Sequence, residues 1–596
     1  MHLFRVWAPK PQRVDLVIDG VATPMVQAGE GWWEREVEAA GPGTRYAFSL
    51  DGGPPRPDPR SAFQPEGVDG PSEVVDHSAF RWSDHQWTGR PLQGSVLYEL
   101  HVGTFSAEGT FDGAIAHLPH LVDLGVDGVE LLPVAEFSGT RGWGYDGVDL
   151  FAPHSAYGGP EGLKRLVDAC HAHGIGVVMD VVYNHLGPAG NYLPQYGPYF
   201  SDRHQTNWGD AFNYDGPLSG EVRRLVVDNA LMWLRDYHID GLRLDAVHAI
   251  VDDSAVHLLE QMAEEVWALS AHLGRNLFLV VESDLNNPRF VLSRDAGGLG
   301  MDASWSDEWH HALHATLTGE RSGYYEDFGP LELLAKALKQ AWVYDGIWSP
   351  HRKRVHGRSP EGLPGDRFVV STQNHDQVGN RALGERSGAL MSEGRLKVAA
   401  ALMLTSPFVP LLFQGEEWAA GTPFQYFTDH RDPELGRAVS EGRRSEFSYF
   451  GWEPDEVPDP QDQATFQESK LDWSEIEGVQ ESMLDGDLGR PGGAHAGMLR
   501  WYRDLIALRR RLPGLTDPRR DGIEVSFDEE AGWLVYRRGA VAVALNVGKV
   551  EVSLPHGEDA QLVLASGHDV EVAGPLLILP PDSVAVVCAG ARRRAP

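Results

Sequence analysis

Short apolar segments alternate with longer amphipathic segments along the middle of this chain, from about residue 95 onward. Such short runs are typical of buried strands, and EGLKRLVDACHAHG and EVRRLVVDNALMWLRDY are typical of helices. Eight candidate strands follow one another in this way: SVLYELHVG, GVDGVELLPV, GIGVVMDVVYNH, IDGLRLDAV, LFLVVES, MDASW, RFVVSTQNHD and FVPLLFQGEE. Because helices separate these strands, the pattern predicts an α/β TIM (β/α)8 barrel with insertions rather than a doubly wound sheet.

The two ends of the chain have a different rhythm. Residues 1–90 contain short strand patterns separated by turns, such as HLFRVWAP and RVDLVID, and predict an N-terminal β-sandwich. Residues 91–517 form the predicted barrel domain, with a short aromatic-rich insertion at 186–220. Residues 518–596 return to strands, such as GWLVYRRGAVAVALNVG, and predict a C-terminal β-sandwich. The predicted fold is therefore multidomain.

The net charge of the chain limits the kinds of molecule that it can bind. The formal net charge is −35, which argues against nucleic acid and anionic membranes because both need basic surfaces. A neutral ligand suits such a protein better.

Cys170 and Cys588 are the only cysteines, so a disulfide framework is not expected. The first residues lack an apolar leader and no run approaches ~18 apolar residues, so we expect a cytoplasmic protein.

Polar side chains gather at the ends of four predicted strands. In a barrel of this kind the catalytic groups lie at the carboxyl ends of the strands, so these side chains would meet at one mouth. A strand-end aspartate can also cap the next helix, and a lone histidine commonly packs in a core. Convergence of four clusters favours an active site. The clusters are Asp180 with Asn184 and His185, Arg243 with Asp245 and His248, Glu282 with Asp284, and Asn374 with His375 and Asp376.

Convergent carboxylates allow two kinds of chemistry. Together with His185, His248 and His375 they could hold a metal ion. Glycoside hydrolysis instead needs one carboxylate as nucleophile and one carboxylic acid. An aspartate is ordinarily ionised at neutral pH, so Asp245 suits the first role, whereas the acid needs a pKa of roughly 6–7. The apolar run LFLVV before Glu282 predicts the desolvation that raises a carboxyl pKa.

Aromatic residues are concentrated near these strand ends. Flat aromatic faces rimmed by polar groups suit sugar rings, although aromatic residues also pack in cores. The surrounding Gly, Pro and Asn indicate a loop, so we interpret these aromatics as a sugar-binding surface. They are Trp143 and Tyr145, followed in the insertion by Tyr192, Tyr196, Tyr199, Phe200, Trp208, Phe212 and Tyr214.

Four short motifs carry a resemblance to a known family. DVVYNH, GLRLDAVH, VVESDL and QNHDQVGN resemble, in order, the four sequence motifs of the α-amylase family of glycoside hydrolases. The resemblance implies a retaining mechanism in which Asp245 is the nucleophile, Glu282 is the general acid and then base, and Asp376 stabilises the transition state. It implies no cofactor, and the short segment after the third strand argues against a structural calcium ion.

The same resemblance assigns supporting roles. Arg243 would orient Asp245, Asp180 would support Arg243, and Tyr145 would stack beneath the sugar on the cleaved side. His185 and His375 would bind the sugar on the cleaved side. The residues predicted to form the substrate-binding site are Tyr145, Asp180, His185, Arg243, His248 and His375.

Longer segments resemble one branch of that family, among them HVGTFSAEGTFDGAI, NHLGPAGNYLPQYGPYFSD and QNHDQVGNRALGER. The resemblance implies hydrolysis of the α-1,4 bond beside the terminal trehalose of malto-oligosyltrehalose, a neutral oligosaccharide. It further implies that the protein works with malto-oligosyltrehalose synthase, and we expect a monomer. The N-terminal domain resembles the immunoglobulin-like sandwich of glycogen-branching enzymes.

Glycogen branching or debranching enzymes of the same family are the main alternative. Branching enzymes typically carry Ser before and Glu after the His-Asp pair of the fourth motif, whereas this chain has Asn374 and Gln377. Two further alternatives are a metal-dependent barrel enzyme and an inactive amylase-like module that binds polysaccharide or a membrane partner. The intact set Asp245, Glu282 and Asp376 argues against the inactive module.

The choice of leaving group is the least constrained part of this interpretation. The segment 301–328 follows the sixth predicted strand and is rich in aromatic, histidine and carboxylate residues. We hypothesise that it builds the acceptor subsites, with helix packing as the alternative for each residue. The candidates are Trp305, Trp309, Tyr324 and Tyr325.

Overall fold

A computed structural model describes residues 1–449, 453, 456–477, 493–556 and 560–589. At its centre eight parallel strands pair in chain order, and the eighth pairs with the first to close a barrel. Every strand lies inside a segment that the sequence pattern singled out, so the predicted barrel is confirmed. The strands are β1 (Leu97–Leu100), β2 (Gly128–Leu131), β3 (Gly176–Val181), β4 (Gly241–Leu244), β5 (Phe278–Val281), β6 (Ala303–Trp305), β7 (Phe368–Ser371) and β8 (Val409–Phe413).

Helices follow the strands and cover the outside of the barrel. None of the described helices is both long and apolar enough to cross a lipid bilayer. The longer helices are α1 (Leu118–Leu124), α2 (Gly159–Ala172), α3 (Ser219–Asp236), α4 (Leu258–Leu273), α5 (Asp307–Thr318), α6 (Leu331–Gln340), α7 (Glu393–Thr405), α8 (Pro433–Tyr449) and α9 (Gly493–Arg511). Shorter helices span Val102–Phe105, Phe111–Ile115, Leu193–Tyr196, His375–Gly379, Ser387–Leu390 and Gln463–Glu468.

The start of α4 is set by side chains that lie before the helix. In the structure the helix begins at Leu258, because the Asp252 carboxylate accepts the Leu258 N–H at 2.6 Å from outside the helix. The His257 ring nitrogen accepts the next N–H, that of Leu259. Side chains that satisfy the first amides of a helix in this way fix its starting point.

The N-terminal region is β-rich, as the sequence predicted, and consists of two sheets. Buried side chains such as Phe4, Trp33 and Phe48 fill its core. One sheet has the order His2–Trp7, Trp32–Val37, Val26–Gly29. The other has the order Val21–Pro24, Val14–Ile18, Arg45–Leu50, Pro55–Arg56, with Ser72–Glu73 also paired to Arg45–Leu50.

The C-terminal region is also built from β-strands, in agreement with the sequence pattern. Val535, Ala544, Leu577 and Val587 are among the buried side chains of its core. A five-stranded sheet has the order Ile523–Asp528, Trp533–Arg538, Val541–Asn546, Ser583–Ala589, Ala560–Ala565. A three-stranded sheet has the order Val552–Pro555, Leu576–Leu579, Glu571–Ala573.

Insertions after the barrel strands form the walls around its carboxyl end. Between β3 and α3 a hairpin pairs Phe200–Thr206 with Gly209–Phe212, and between α6 and β7 a second hairpin pairs Asp345–Ser349 with Arg354–Gly357. A short pair, Ala135–Glu136 with Asp149–Pro153, follows β2. Helix α8 belongs to the long segment after β8.

The aromatic residues of the β3–α3 insertion are mostly structural. Tyr196, Tyr199, Phe212 and Tyr214 are buried, and Tyr199 packs edge-on against Trp7 of the N-terminal region with ring centroids 5.2 Å apart. The interpretation of these four residues as a sugar-binding surface is therefore wrong, because their rings lie inside the protein.

A buried arginine joins α9 to the barrel. The Arg509 guanidinium is almost fully buried and donates to the carbonyls of Leu404, Ser406 and Phe408 at 3.0, 2.7 and 2.8 Å. Burial lowers the pKa of Arg509 to about 9. These bonds satisfy carbonyls at the end of α7 and just before β8, so this one side chain ties three elements together.

We therefore expect Arg509→Met to lower the stability of the protein by about 3 kcal/mol, since several buried carbonyls lose a charged donor. Thermal unfolding should show a fall in the midpoint of roughly 2–4 °C, because the unfolding entropy of so long a chain is large. The neighbouring Arg510 is half exposed and pairs with Asp127 at 2.8 Å, so Arg510→Met is the matched control, with an expected loss below ~1 kcal/mol. Equal midpoints for the two variants would contradict the role of Arg509.

Candidate active site

The predicted strand-end residues meet at the carboxyl end of the barrel. Asp245 follows β4, Glu282 follows β5, and Asp376 lies in the short helix after β7. All three carboxylates line a cleft of about 640 Å³. The other cleft residues come from the insertions and neighbouring loops, and they include Trp143, Tyr145, His185, Trp208, His248, Asp284, Tyr426, Arg443 and Glu446.

The Arg243 guanidinium is the centre of the carboxylate cluster. Its Nη1 donates to Asp180 Oδ2 at 2.7 Å and to Asp245 Oδ1 at 2.8 Å, and its Nη2 lies 3.6 Å from Glu282 Oε2. The side chain is fully buried, and its Cζ lies 4.2 Å from the centre of the Trp305 ring. A planar guanidinium held in this way fixes the carboxylates around it and balances their charge.

Asp245 is held as a carboxylate that only accepts hydrogen bonds. Arg243 donates to Oδ1, and the Asn184 amide donates to Oδ2 at 3.0 Å. The Asp245 side chain is 15% exposed, so it still reaches the cleft. An oriented carboxylate with its remaining lone pairs open to the cleft has the properties of a nucleophile.

Glu282 has a different electrostatic environment. Burial raises its pKa well above the ordinary value, Arg243 opposes this shift, and the nearby charge of Asp245 adds to it. Glu282 Oε2 also accepts the N–H of Ala246 at 2.6 Å. A carboxyl group whose pKa is raised by burial in this way suits the role of a general acid.

Asp376, the third carboxylate, lies at the start of the helix His375–Gly379. Asn374 caps this helix through its side chain, which accepts the N–H groups of Asp376 and Gln377. The Asp376 side chain is 48% exposed, much more than Asp245 or Glu282. A half-exposed carboxylate at the cleft can bind substrate hydroxyls, as its predicted role requires.

Tyr145 connects both sides of the cluster. Its hydroxyl donates to Asp180 Oδ2 at 2.6 Å and lies 2.8 Å from His375 Nε2, and the Tyr145 and His375 rings are stacked. His185 stacks on Trp208 with ring centroids 5.5 Å apart. These contacts leave aromatic faces along the walls of the cleft, which suit the apolar faces of sugar rings.

The structure brings some predicted residues to the cleft and places others beneath it. Tyr145, His185, His248 and the three carboxylates line the cleft. Asp180, Arg243 and His375 are buried under it, so they support the lining residues. This placement agrees with the supporting role predicted for Asp180 and argues against direct substrate contact.

Two candidates for the acceptor subsites need correction. Trp305 is buried against the Arg243 guanidinium and does not line the cleft, so its position argues against sugar contact. Trp309 is likewise fully buried. Tyr325 is 4% exposed and its hydroxyl bonds to His310, whereas Tyr324 is 41% exposed. Among these aromatics Tyr324 is therefore the accessible one.

The cleft continues into two smaller cavities. The first, of about 210 Å³, shares Asp284, Asp376 and Asn380 with the main cleft and is also lined by Tyr324 and Arg352. The second, of about 160 Å³, shares Tyr324 and Asn380 with the first and contains Tyr325. The three cavities thus form one groove, the shape that an oligosaccharide requires.

Several cleft residues were not found from the sequence. Tyr426, Arg443 and Glu446 come from the long segment between β8 and α9, and the strand-end argument does not reach that segment. The only available signal is its length, which far exceeds an ordinary barrel loop. Glu99, inside β1, was also missed because it lies within a strand rather than at its end.

The alternative of a metal-dependent barrel enzyme depends on whether the carboxylate cluster needs a metal ion to balance its charge. Arg243 already supplies a positive charge between Asp180, Asp245 and Glu282. Elsewhere in the described part of the chain, one group of possible ligands converges within 4.8 Å, formed by His204, Asp215 and Asp253 in and near the β3–α3 insertion. Arg203 lies 2.9 Å from Asp215, so a cation also stands beside that group.

Two family models match the chain, "Alpha amylase, catalytic domain" at residues 77–208 and a domain of unknown function (DUF3459) at 518–586. A crystal structure from Salmonella typhimurium is 38% identical and superposes with a TM-score of 0.88 over 98% of this chain and 97% of that one. The barrel, the carboxylate cluster and the first family model define a glycoside hydrolase of the α-amylase family.

Curated relatives narrow the class further. A malto-oligosyltrehalose trehalohydrolase from Arthrobacter ramosus is 52% identical over 95% of this chain and 96% of its own length. Another from Rhizobium sp. (strain M-11) is 49% identical over 98% of this chain and 97% of its own length. The chain belongs to the malto-oligosyltrehalose trehalohydrolase family. A branching enzyme from Vibrio parahaemolyticus is 32% identical over only 52% of this chain.

Proposed function

We propose that this enzyme hydrolyses the α-1,4-glucosidic bond beside the terminal trehalose of malto-oligosyltrehalose and releases trehalose and a maltodextrin. The observation that carries the proposal is the pairing at one cleft of Asp245, oriented by Arg243, with Glu282, whose pKa is raised by burial. Full-length relatives with the name malto-oligosyltrehalose trehalohydrolase support the substrate.

The geometry supports a double displacement with retention of configuration. Asp245 attacks the anomeric carbon while Glu282 gives its proton to the glycosidic oxygen, so the trehalose end leaves and a glycosyl ester forms on Asp245. Glu282, now ionised, takes a proton from water as the water oxygen attacks the anomeric carbon, which breaks the bond between that carbon and the Asp245 oxygen and frees Asp245. Asp376 stabilises the positive charge that develops at the reacting sugar carbon, and Arg243 stabilises the carboxylates around it.

The groove supports an oligosaccharide in a defined direction. The maltodextrin part of the substrate would occupy the main cleft, with Tyr145, His185 and Trp208 on its walls. The trehalose part would occupy the adjoining cavity, where Tyr324 and Arg352 stand beside Asp376. The hypothesis that the segment 301–328 builds the acceptor side is thus retained, with Tyr324 in place of Trp305.

Branching and debranching enzymes of the same family remain the second candidate function. The partial match to a branching enzyme reflects the shared barrel and covers about half the chain. The identity of the products separates the candidates, since neither alternative produces free trehalose from malto-oligosyltrehalose.

The setting of the reaction is part of the same proposal. A malto-oligosyltrehalose synthase would supply the substrate, and the enzyme would act as a cytoplasmic monomer without a cofactor. The two cysteines are both free, which suits a reducing compartment. The strongly acidic composition suits a neutral oligosaccharide rather than a polyanion.

Incubation of the purified full chain with malto-oligosyltrehalose tests the proposal directly. We expect equimolar trehalose and shortened maltodextrin, with the new reducing end first formed in the α configuration. Chromatography identifies the disaccharide, and NMR of the fresh product gives the anomer. Maltose as the released disaccharide would contradict the proposed substrate, and a β anomer would contradict retention.

Asp245→Asn and Glu282→Gln should each lower kcat on malto-oligosyltrehalose by at least about 10³-fold, because each removes a group that changes its bonding in the transition state. Both replacements keep the size of the side chain, so circular dichroism should be unchanged. For Asp245→Asn the covalent intermediate should disappear from mass spectra of quenched reactions. Near-normal turnover of Glu282→Gln would remove its assignment as the acid.

Tyr324→Ala should lower kcat/KM on malto-oligosyltrehalose by about tenfold, the loss expected for one aromatic contact of ~1–1.5 kcal/mol. Hydrolysis of unmodified maltodextrin should change less, because the trehalose unit is absent. Trp267→Ala is the matched control, since Trp267 is 71% exposed on α4 and lines none of the three cavities of the groove. Parallel losses on both substrates would exclude a selective role for Tyr324.

A further inference from the structure

Glu99 is a buried carboxylate beneath the cleft. It lies inside β1 and its side chain is 1% exposed. Glu99 Oε1 is 2.6 Å from His375 Nδ1, and Oε2 accepts the backbone N–H of His375 at 3.0 Å. Both oxygens of one carboxylate are therefore directed at a single residue, His375, across the barrel interior.

The contacts of the His375 ring determine its protonation state. Nδ1 faces Glu99 Oε1 while the other oxygen of that carboxyl accepts the His375 backbone N–H, so Glu99 acts as the acceptor and Nδ1 carries a hydrogen. Nε2 faces the Tyr145 hydroxyl at 2.8 Å, and the single hydrogen of that hydroxyl is donated to Asp180 at 2.6 Å. The Tyr145 oxygen must accept from Nε2, so both ring nitrogens are donors and the ring is an imidazolium.

Electrostatics agree with this hydrogen-bond argument. Burial alone would lower the pKa of His375, but the Glu99 carboxylate and then Asp376 outweigh burial and raise the pKa to about 9. Burial holds the pKa of His101 near 3, so this neighbour is neutral. The titratable or charged groups around the ring are Glu99, His101, Glu130, Tyr145, Arg243, Asp307 and Asp376.

We propose that Glu99 is a positioning residue that keeps His375 doubly protonated and thereby fixes the direction of every hydrogen bond from His375 to the nucleophile. The chain runs from Glu99 through His375, Tyr145 and Asp180 to Arg243, which holds Asp245. If His375 became neutral, Nε2 could accept from Tyr145. The Tyr145 hydrogen would then leave Asp180, and that carboxylate would pull more strongly on Arg243.

Glu130 provides a matched control in the same layer of the barrel. It is paired with Glu99 in the register of β1 and β2, and it is equally buried. Neither of its carboxyl oxygens has a hydrogen-bond partner, and burial followed by the charges of Glu99 and Asp180 raises its pKa well above the ordinary value. Burial and the neighbouring anions thus disfavour the charged form of Glu130, so Glu130→Gln should change little.

The test combines histidine NMR with a pH profile of the full-length enzyme. Ring 15N signals of His375, assigned by their loss in His375→Gln, should show two protonated nitrogens at pH 7 in the unchanged protein. In Glu99→Gln the ring should titrate near or below ~6.5 because the stabilising anion is gone. This protonation measurement is independent of substrate, whereas the kinetic part rests on the proposed function.

The loss of kcat in Glu99→Gln should increase as the pH rises. Loss of the anion lowers the pKa of His375, so the imidazolium disappears as pH rises. In Glu99→Gln, kcat on malto-oligosyltrehalose should fall about 100-fold at pH 8 and less than tenfold at pH 5.5, with KM nearly unchanged. Glu130→Gln should keep kcat within about twofold at both pH values.

Three results would overturn the proposal. The first is a neutral His375 at pH 7 in the unchanged protein, a measurement that stands even if Glu99→Gln does not fold. The second is a Glu99→Gln variant with the parental pH profile. The third is an equal loss of kcat at every pH, which indicates a packing role only. If trehalose is not released at all, the proposed function fails while the NMR result still decides the state of His375.

Discussion

The buried Arg243 guanidinium is the interaction on which the active site depends. Placing a cation in a barrel interior is costly unless carboxylates surround it, and ionised carboxylates at such close range need a cation between them. Arg243 meets both needs, with Asp180 below and Asp245 at the cleft. It lies closer to Asp245 than to Glu282, at 2.8 against 3.6 Å. Arg243 therefore orients Asp245 by a direct hydrogen bond, whereas burial remains the largest influence on Glu282 and raises its pKa.

The barrel and its catalytic carboxylates were predictable, because both depend on local patterns. Apolar runs mark the strands, and Asp245 and Glu282 each follow such a run directly. The packing of Trp305 was not predictable, because a strand-end aromatic can face either the cleft or the interior. The residues of α8 were missed because nothing in their own sequence shows that the long segment after β8 folds back over the barrel mouth.

The N-terminal region stabilises one wall of the cleft from a distance. The Tyr196 hydroxyl donates to the Pro57 carbonyl at 2.7 Å, and Tyr199 packs against Trp7, so the β3–α3 insertion is fixed to that region. The same insertion carries Trp208, which is half exposed and stacks on His185. The aromatic residues of one insertion thus divide between those that anchor it and Trp208, which lines the cleft, a division that composition alone does not show.

The backbone after β4 links the strand end that carries Asp245 to the one that carries Glu282. Ala246 has a φ of 40°, in the left-handed region that a residue with a Cβ rarely adopts. This turn sends three successive N–H groups to both neighbouring strands: Asp245 donates to the Val181 carbonyl, Ala246 to the Glu282 carboxyl and Val247 to the Glu282 carbonyl. A cost of roughly 1–3 kcal/mol in backbone strain is therefore offset by bonds that tie the nucleophile's strand to the acid's strand. Two of these bonds join main-chain atoms and the third holds the Glu282 carboxyl itself, so the strand ends that carry the two carboxyl groups are fixed relative to each other.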